Sequence, residues 1–435
     1  MVRLNRVPRD HGLECEFFVK CEFLNPGGSI KDRISHTMVL DAEKSGKAKP
    51  GTRFVEPTSG NTGIGVALTA AVCGYGCTIV TPDKNSDEKM STISLLGAEV
   101  IQTPAMDIYL FNFQYDNKVN PSTHYDETAE EILSAVPNLD MVVIGAGTGG
   151  TLTGVARKIK EKCSNCVVVA VDPQGSIMFQ GGEPKLFFVE GIGGDFIPEV
   201  LDKSVADKVI HPNDHEAFNM SRELIRKEGL LCGGSSGATM FSAIKAAKEL
   251  NLGAGKRVVV ILADGIRNYM TKFVSDQWME AQLFKEPPER DYVWWNRSIT
   301  NLKIDKTTPV ISEFASCKEA IATMGSEHNV AIVVNCEGYF KGVVSKNSLR
   351  SEATNPKRKG ERFYLTDPVN RHLIKSHYKI IENRGHPTAG LASRILDVTP
   401  FVVIVEEIVH NKSYIPRGIL TAEAMLDFII EHQDN

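Results

Sequence analysis

Between residues 50 and 275, short runs of β-branched residues alternate with longer stretches in which apolar residues recur every three or four positions. The first pattern is typical of buried strands and the second of amphipathic helices. Their alternation predicts an α/β fold, in which parallel-type open sheets carry helices on both faces. The predicted strands are 53–56, 77–81, 99–103, 141–145, 167–172 and 257–263, and the predicted helices are 32–45, 62–73, 87–96, 126–135, 150–161, 213–228 and 236–250.

The pattern changes near residue 282. Residues 283–305 combine prolines, charges and aromatic side chains without a clear period, and we interpret them as a linker. From 306 to 435 a first half with the order strand, helix, strand, strand and helix start is followed by a second with helix, strand, strand and helix, which predicts an internal repeat. Neither repeat carries a cluster of acid, base and nucleophile, so we expect residues 1–282 to hold the chemistry and residues 306–435 to bind or regulate.

Composition narrows the class of protein. The chain has 435 residues, 42% of them hydrophobic and 24% charged, with a net charge of −5. It therefore lacks the basic surface that nucleic acid or an anionic membrane would require, and small molecules or other subunits are the expected partners. The nine cysteines are an odd number, and no secretory segment or membrane-length apolar run is present. A cytoplasmic location is predicted.

Cys163 and Cys166 have the spacing of a redox or zinc pair. No second pair of Cys or His stands at a suitable distance, so no metal site is predicted. Two interpretations stay open: a thiol switch, or a plain turn between a helix and a strand.

Lys31 follows two turn-forming glycines and stands at the start of the predicted helix 32–45. The positive end of a helix dipole lowers the pKa of a nearby ammonium, and a neutral amine attacks an aldehyde. Lys31 is therefore a candidate Schiff-base former. The alternative is an ordinary surface lysine.

Two further loops join a predicted strand to a predicted helix. After strand 53–56, hydroxyls at Thr58, Ser59 and Thr62 and the amide of Asn61 suit an amino-acid carboxylate and one ring oxygen, although the same residue types also form simple N-caps. After strand 141–145, the glycine-rich run 145–151 predicts a phosphate cradle. It contains neither a dinucleotide fingerprint nor a P-loop lysine, so a compact phosphate is expected; the alternative is a tight turn.

Two more glycine-rich loops, 191–196 and 232–237, complete the set. Together the loops require one small ligand that bears both a phosphate and an aldehyde. Pyridoxal 5′-phosphate meets both demands, with Lys31 as its amine partner.

These motifs resemble those of the fold-type II pyridoxal-phosphate enzymes, and within them the cystathionine β-synthases. The resemblance covers nearly the whole chain and rests on residues 28–33, 58–62, 147–151, 190–193, 228–235 and 267–273. It implies a tryptophan-synthase-β-like fold with a mobile subdomain at about 53–137, followed by a tandem CBS-domain module. Trp294 and Trp295 resemble the linker of that family.

The resemblance also implies a role for individual residues. Lys31 would be the Schiff-base lysine and proton shuttle, Asn61 the partner of the ring hydroxyl, and Ser235 the partner of the pyridine nitrogen. The implied phosphate ligands are Gly147, Thr148, Gly149, Gly150 and Thr151. The implied substrate-binding residues are Thr58, Ser59, Gly60, Thr62, Gln114, Tyr115, Gly191 and Gly193.

The implied reaction is β-replacement through an aminoacrylate, in which L-serine and L-homocysteine form L-cystathionine in transsulfuration and cysteine biosynthesis. Hydrogen sulfide would form from cysteine as a side activity, and the enzyme would be a homodimer. Two alternatives stay open: a cysteine synthase or serine dehydratase of the same family, and a catalytically impaired pseudoenzyme or truncated isoform.

The chain departs from the family pattern at several places. It starts within the first conserved segment, so haem is not predicted from the residues present. The segment between Pro104 and Gln114 is short, which raises the question whether the lid still closes, and position 194 is Gly where the family usually has Tyr. Residues 345–348 and 421–424 lack the Asp that often binds a ribose in CBS repeats, which argues against an adenosyl ligand.

Overall fold

The computed structural model describes residues 1–58, 60–82, 87–103, 114–185, 187–286, 288–354, 364–374, 379–382, 387–408 and 413–432. Backbone contacts divide the chain into two compact units, Met1–Val274 and Ser275–Asn435. The division lies ahead of the boundary that we expect at 282. None of the helices within these ranges is both long and apolar enough to cross a bilayer.

The first unit contains nine of the strands and nine of the α-helices that are named below. Its strands are β1 (Val2–Arg3), β2 (Glu16–Cys21), β3 (Arg53–Pro57), β4 (Gly76–Pro82), β5 (Glu99–Thr103), β6 (Met141–Gly145), β7 (Val167–Val171), β8 (Lys208–Ile210) and β9 (Arg257–Leu262). Its helices are α1 (Val7–Asp10), α2 (Lys31–Lys44), α3 (Asn61–Cys73), α4 (Asp87–Leu95), α5 (Val119–Thr123), α6 (Ala129–Ala135), α7 (Gly150–Lys162), α8 (Asp214–Glu228) and α9 (Gly234–Glu249), with a π-helical turn, His124–Thr128, between α5 and α6.

Two sheets organise the first unit. The larger has the order β1-β2-β9-β6-β7-β8, and all its neighbours are parallel except β1 and β2. Strands β6, β7 and β9 are buried almost throughout, as expected for a parallel sheet that helices cover on both faces. The smaller sheet, β3-β4-β5, is also parallel. The predicted pair of parallel-type open sheets is therefore confirmed.

The smaller sheet has its own core, which includes Ile64, Ala67, Ile79 and Ile93. We expected one mobile subdomain over 53–137, but the helical run 119–135 does not belong to this core. Ala129 and Ile132 of α6 lie instead in the core of the larger sheet, beside residues of β6 and α7. The small-sheet body is thus shorter than the expected subdomain, because the apolar face of α6 is buried on the other sheet.

Strand β2 was not among the predicted strands, although it pairs with β9 over its whole length. Its sequence, EFFVKC, has charged residues at both ends of a short apolar centre, so neither a strict alternation nor a long apolar run marks it. The omission matters because β2 is followed by a short 3-10 helix, Glu22–Leu24, and by the loop 25–30 that leads to Lys31 at the start of α2.

The second unit shows the internal repeat that the sequence predicts. Its strands are β10 (Val310–Ser312), β11 (Val330–Val334), β12 (Phe340–Ser345), β13 (Lys379–Ile381), β14 (Phe401–Ile408) and β15 (Ser413–Thr421), and its helices are α10 (Asp276–Ala281), α11 (Cys317–Met324), α12 (Lys346–Thr354), α13 (Ala389–Leu396) and α14 (Ala422–His432). In each half the first strand runs parallel to the second and the second antiparallel to the third. The two halves therefore share one strand–helix–strand–strand–helix topology.

The segment 283–305 is not a free linker. Trp294 and Trp295 are each 7% exposed and pack in one core with Ile299, Leu302 and the second repeat. A Cβ at Gly390 would collide with the indole of Trp295, so α13 lies directly against that ring. These aromatic residues belong to the second unit, because burying two large indole rings in its core is more favourable than leaving them exposed in an extended linker.

Cys163 and Cys166 lie in the turn between α7 and β7, where the Cys166 N–H donates to the Cys163 carbonyl oxygen at 2.9 Å. Both cysteines are unpaired. Burial raises the pKa of the Cys166 thiol to about 12, which disfavours the thiolate that redox chemistry requires. The turn interpretation is the one that this geometry favours.

The close packing of α8 and α9 generates a prediction about stability. A Cβ at Gly237 would collide with the carbonyl oxygen of Ala217 and the amide of Ser221. Gly237→Ala should therefore destabilise the first unit by about 2–3 kcal/mol, because overpacking outweighs the roughly 1 kcal/mol gain in helix propensity. Scanning calorimetry would show this as a lower melting temperature.

Gly253→Ala is the matched control, because an added Cβ there meets no atom within 4 Å. Its melting temperature should be unchanged or slightly higher. Equal melting temperatures for the two variants would contradict the packing argument.

Candidate active site

A cavity in the first unit lies where strands end and helices begin. It is bordered by the carboxyl ends of β3, β6 and β9 and by the N-termini of α2, α3, α7 and α9. Ligands in open α/β sheets bind at such ends. The lining includes most of the predicted site residues: Lys31, Thr58, Asn61, Thr62, Gln114, Tyr115, Gly147, Thr148, Gly149, Thr151, Gly191, Gly193 and Ser235.

Three predicted residues are not in this lining. Gly60 is the first of them, and a Cβ there would meet the side chain of Lys89 at 2.5 Å. Gly150 is the first residue of α7 and lies against the amide of Asn120. Ser59, like the shortened segment 104–113, lies outside the described residues.

Lys31 is the first residue of α2, at the carboxyl end of β9. The loop before it is fixed to that strand end, because the Ile30 N–H donates to the carbonyl oxygen of Ala263 at 2.8 Å. Burial lowers the pKa of the Lys31 ammonium to about 8, although the nearby carboxylate of Asp264 acts in the opposite direction. Within the described ranges its Nζ has no hydrogen-bond or ion-pair partner. At pH 7.4 roughly one fifth of this amine is therefore neutral, far more than for an ordinary lysine.

Asn61 is held in one orientation by two neighbours. Its Nδ2 donates to Asp264 Oδ2 at 2.8 Å, and its Oδ1 accepts from Asn268 Nδ2 at 3.1 Å. The carboxylate of Asp264 accepts, so the Nδ2 end of Asn61 must face it in this arrangement. The amide of Asn61 also interacts with the Tyr269 hydroxyl, and it lines the cavity.

Asp264 is a site residue that the sequence interpretation missed. It is 1% exposed, lines the cavity and also accepts from the Tyr269 hydroxyl at 2.5 Å. Burial raises its pKa, although Lys89, Tyr269 and Asn61 act to lower it. Its position directly after the predicted strand 257–263 was the available signal, the same signal that led to the other loops.

The loop after β3 presents two hydroxyls, one that accepts a hydrogen bond and one that donates. The Thr58 hydroxyl accepts from the Gly60 N–H at 3.3 Å, so its own proton is free to reach a ligand. The Thr62 hydroxyl donates to Gln114 Oε1 at 2.7 Å. Gln114 is 3% exposed, and its amide therefore joins Thr62 to the wall of the cavity.

The loop after β6 has no room for side chains at its glycines. A Cβ at Gly147 would collide with the carbonyl oxygen of Gly191, and Gly149, the N-cap of α7, has a φ of +86°. The first turn of α7 leaves backbone N–H groups that its own helix does not use. Such a glycine-lined helix N-terminus favours a compact anion.

Ser235 is the second residue of α9 and is 3% exposed. In the part of the chain that the structure describes, its hydroxyl has no hydrogen-bond partner, and it faces the cavity. It offers a ring nitrogen a neutral partner instead of a carboxylate.

A second missed feature is a charged cluster around Glu190. Lys89 of α4 is 2% exposed; its Nζ donates to Glu190 Oε2 at 2.5 Å and lies 4.8 Å from the ring centre of Tyr269. Lys272 donates to the other oxygen of Glu190. Burial alone would raise the pKa of Glu190, but the two lysines lower it. Residues so distant in sequence left no pattern from which their contact could be predicted.

Comparisons with known proteins agree with this geometry. A family model described as "pyridoxal-phosphate dependent enzyme" matches residues 1–264. The cystathionine beta-synthase of Apis mellifera is 42% identical over 99% of this chain and 89% of its own length, and that of Mus musculus is 42% identical over 97% and 78%.

Two solved structures resemble the first part of the chain. A hydrogen sulfide-producing enzyme from Fusobacterium nucleatum is 38% identical, with a TM-score of 0.59 over 62% of this chain and 95% of its own. An O-acetylserine dependent cystathionine beta-synthase from Helicobacter pylori is 37% identical, with a TM-score of 0.57 over 62% and 94%.

The fold and the family model together define an enzyme class that uses pyridoxal phosphate. The near full-length relatives narrow this class: the chain belongs to the cystathionine β-synthase family of pyridoxal-phosphate dependent enzymes. The resemblance found in the sequence motifs is thereby confirmed. Enzymes of this kind act on small amino-acid substrates.

The buried amine of Lys31 generates a prediction about pH. The rate at which Lys31 reacts with the aldehyde of pyridoxal should increase with pH and level off above an apparent pKa of about 8, instead of 10.5. Asp264→Asn should move this inflection to lower pH, because it removes the negative charge that favours the ammonium. Stopped-flow absorbance across pH 6–11 would measure both.

Lys31→Ala is the control that assigns the signal to this amine. An inflection near the ordinary lysine pKa, or an inflection that Asp264→Asn shifts upward, would contradict the burial argument.

Proposed function

We propose that the first unit binds pyridoxal 5′-phosphate through Lys31 and condenses L-serine with L-homocysteine to L-cystathionine, the transsulfuration step of cysteine biosynthesis. One observation carries the proposal: a partly neutral lysine amine, a glycine-lined helix N-terminus and an unpaired serine hydroxyl line the same cavity. These groups match the aldehyde, the phosphate and the pyridine nitrogen of one cofactor.

The described residues fit this cofactor at each of its polar groups. The phosphate would be held by Gly147, Thr148, Gly149, Gly150 and Thr151, whose glycines have no space for a Cβ. The ring hydroxyl would face the amide of Asn61, which Asp264 and Asn268 hold in place. Ser235 would face the ring nitrogen.

When bound, the cofactor withdraws electrons from the α-carbon of an amino acid, which makes the α-proton acidic. Lys31 would take that proton at its Nζ and return it later. A pKa of about 8 suits both tasks near neutral pH, because the amine accepts and releases a proton without a large cost in either direction. The neutral hydroxyl of Ser235 leaves the ring a weaker electron sink than a carboxylate would, which favours β-elimination and replacement over transamination.

The substrate carboxylate would be bound by the loop Thr58–Thr62 at the N-terminus of α3. The Thr58 hydroxyl has a free proton, and the Gln114 amide completes this wall, with Tyr115, Gly191 and Gly193 on the remaining sides. Lys89, whose Nζ is paired with Glu190, also lines this cavity. An amino acid with an α-carboxylate is the substrate class that this set of donors favours.

For the second unit we propose a tandem CBS-domain module with a regulatory or dimer-stabilising role. Its support is the repeated topology of β10–α12 and β13–α14 together with relatives that span nearly the whole chain. By the same family analogy we propose a homodimer. We also propose a cytoplasmic location, which the nine unpaired cysteines support.

The choice of second substrate tests the proposed reaction. With L-serine as donor and equal concentrations of homocysteine and sulfide, we expect cystathionine to be the main product, as measured by mass spectrometry. Cysteine as donor should release hydrogen sulfide as a side activity. Cysteine or pyruvate as the main product would favour the alternatives, a cysteine synthase or a serine dehydratase.

Lys31→Ala should abolish product formation and the visible absorbance of cofactor joined to the protein. Retention of that absorbance in the variant would contradict the role of Lys31. O-Acetylserine as an alternative donor is an informative comparison, because one structural relative is described as dependent on it.

A further inference from the structure

The helical run before α7 packs unusually closely on the predicted phosphate cradle. A Cβ at Gly154 of α7 would collide with the carbonyl oxygen of Pro121, and a Cβ at Gly150 would collide with the amide of Asn120. These two glycines allow α5 and the π-helical turn to lie against the first turn of α7. Two polar residues of this run, Asn120 and His124, are fully buried there.

Asn120 has only one possible amide orientation. Its Nδ2 donates to the carbonyl oxygen of Gln114 at 2.9 Å and to Thr148 Oγ1 at 3.0 Å. A carbonyl oxygen only accepts, so the amino end of Asn120 must face it, and both N–H groups are used. Thr148 Oγ1 is consequently an acceptor in this contact.

The Thr148 hydroxyl is left with only its proton to offer. Its oxygen also accepts from the Gly150 N–H at 3.3 Å, so both lone pairs are occupied. Thr148 lines the cavity. The hydroxyl is therefore committed as a donor toward whatever occupies the cradle.

His124 makes the corresponding contact with the second threonine. Its Nδ1 lies 2.9 Å from Thr128 Oγ1, and its Nε2 lies 3.1 Å from Thr151 Oγ1. Burial lowers the pKa of His124 to about 3, so the ring is neutral and carries one N–H. Either Thr128 donates to Nδ1 and Nε2–H donates to Thr151, or the chain of donors runs in the opposite direction.

Only one of these directions suits an anion. If Nε2–H donates to Thr151, the Thr151 proton is free to reach the cradle. In the opposite direction, Thr151 donates to Nε2 and presents oxygen lone pairs to the cavity. A phosphate would repel those lone pairs and select the first direction.

We propose that Asn120 and His124 are positioning residues, which orient the hydroxyls of Thr148 and Thr151 so that both donate to the cofactor phosphate. They stand four residues apart and so share one face of the helical run. The inference rests on the proposed place of the phosphate at 147–151. In the same inference the Thr128 hydroxyl donates to Nδ1 of His124 and thereby selects the tautomer that carries its proton on Nε2.

Phosphate-dependent affinity tests the proposal, with pyridoxal 5′-phosphate and pyridoxal compared on the full chain by equilibrium dialysis. Asn120→Leu and His124→Leu should each weaken binding of the phosphorylated form about tenfold, because one charge-assisted hydrogen bond is lost. Binding of pyridoxal should stay within about twofold, since it has no phosphate. His124→Gln should retain most of the affinity, because its amide can donate near the position of Nε2.

A pair of threonine variants provides the matched control. Thr128→Val should reduce the preference for the phosphorylated form, whereas Thr128→Ser, which keeps the hydroxyl, should retain it. Thr123 lies in the same helical run and is also buried, but its hydroxyl donates to the carbonyl oxygen of Val119 at 2.7 Å. Thr123→Val should therefore leave the preference unchanged.

Three outcomes would overturn the inference. If Asn120→Leu and His124→Leu keep the full preference for the phosphorylated form, the hydroxyl orientation does not depend on these residues. If they weaken both ligands equally, their role is purely structural. If the unaltered protein shows no preference for the phosphorylated form, the proposed phosphate site fails together with the inference, which separates that failure from the other two.

Discussion

The site depends on keeping the amine of Lys31 out of water. Burial lowers the pKa of its ammonium to about 8, and Asp264, the one acidic side chain among the described residues of the cavity lining, limits that shift. Asp264 is shared with Asn61 and the Tyr269 hydroxyl, so its negative charge is dispersed over two hydrogen bonds. A closer or undivided carboxylate would hold Lys31 protonated and remove its nucleophilicity. The local balance of charge thus decides whether this lysine can react with an aldehyde.

Glycines then bring the remaining groups close enough to act on one small ligand. Gly147 allows the loop 191–193 to approach the predicted phosphate cradle, and Gly154 allows α5 to reach α7. Neither contact would survive an added methyl group without a shift of backbone, and backbone moves less readily than a side chain. The glycines that leave space for a ligand therefore also allow the surrounding helices to pack closely.

The sequence predicted those parts of the fold that depend on local pattern. Strand ends and helix starts converge in a parallel sheet, so the pattern alone predicts that Lys31, Asn61, Thr148 and Ser235 lie at one edge. The contacts that were missed join segments far apart in the chain, such as Lys89 with Glu190 and Asn61 with Asp264. No periodicity records such pairs. The helix α5 was missed for a different reason, because Pro121 in its short sequence reads as a breaker, although the first turn of a helix accepts proline.

The predicted phosphate cradle carries no charged side chain, and this changes how it can distinguish an anion from a neutral ligand. The run 145–151 contains no lysine or arginine, so an anion there is bound by helix N–H groups and hydroxyls instead of by a full charge. A hydroxyl attracts or repels an anion according to the direction of its O–H bond, whereas a lysine attracts it in every orientation. The buried side chains that contact these hydroxyls therefore act by orienting the O–H bonds and not by adding charge. A fully buried histidine with a pKa of about 3 suits that task, because it stays neutral at physiological pH, where a phosphate is ionised.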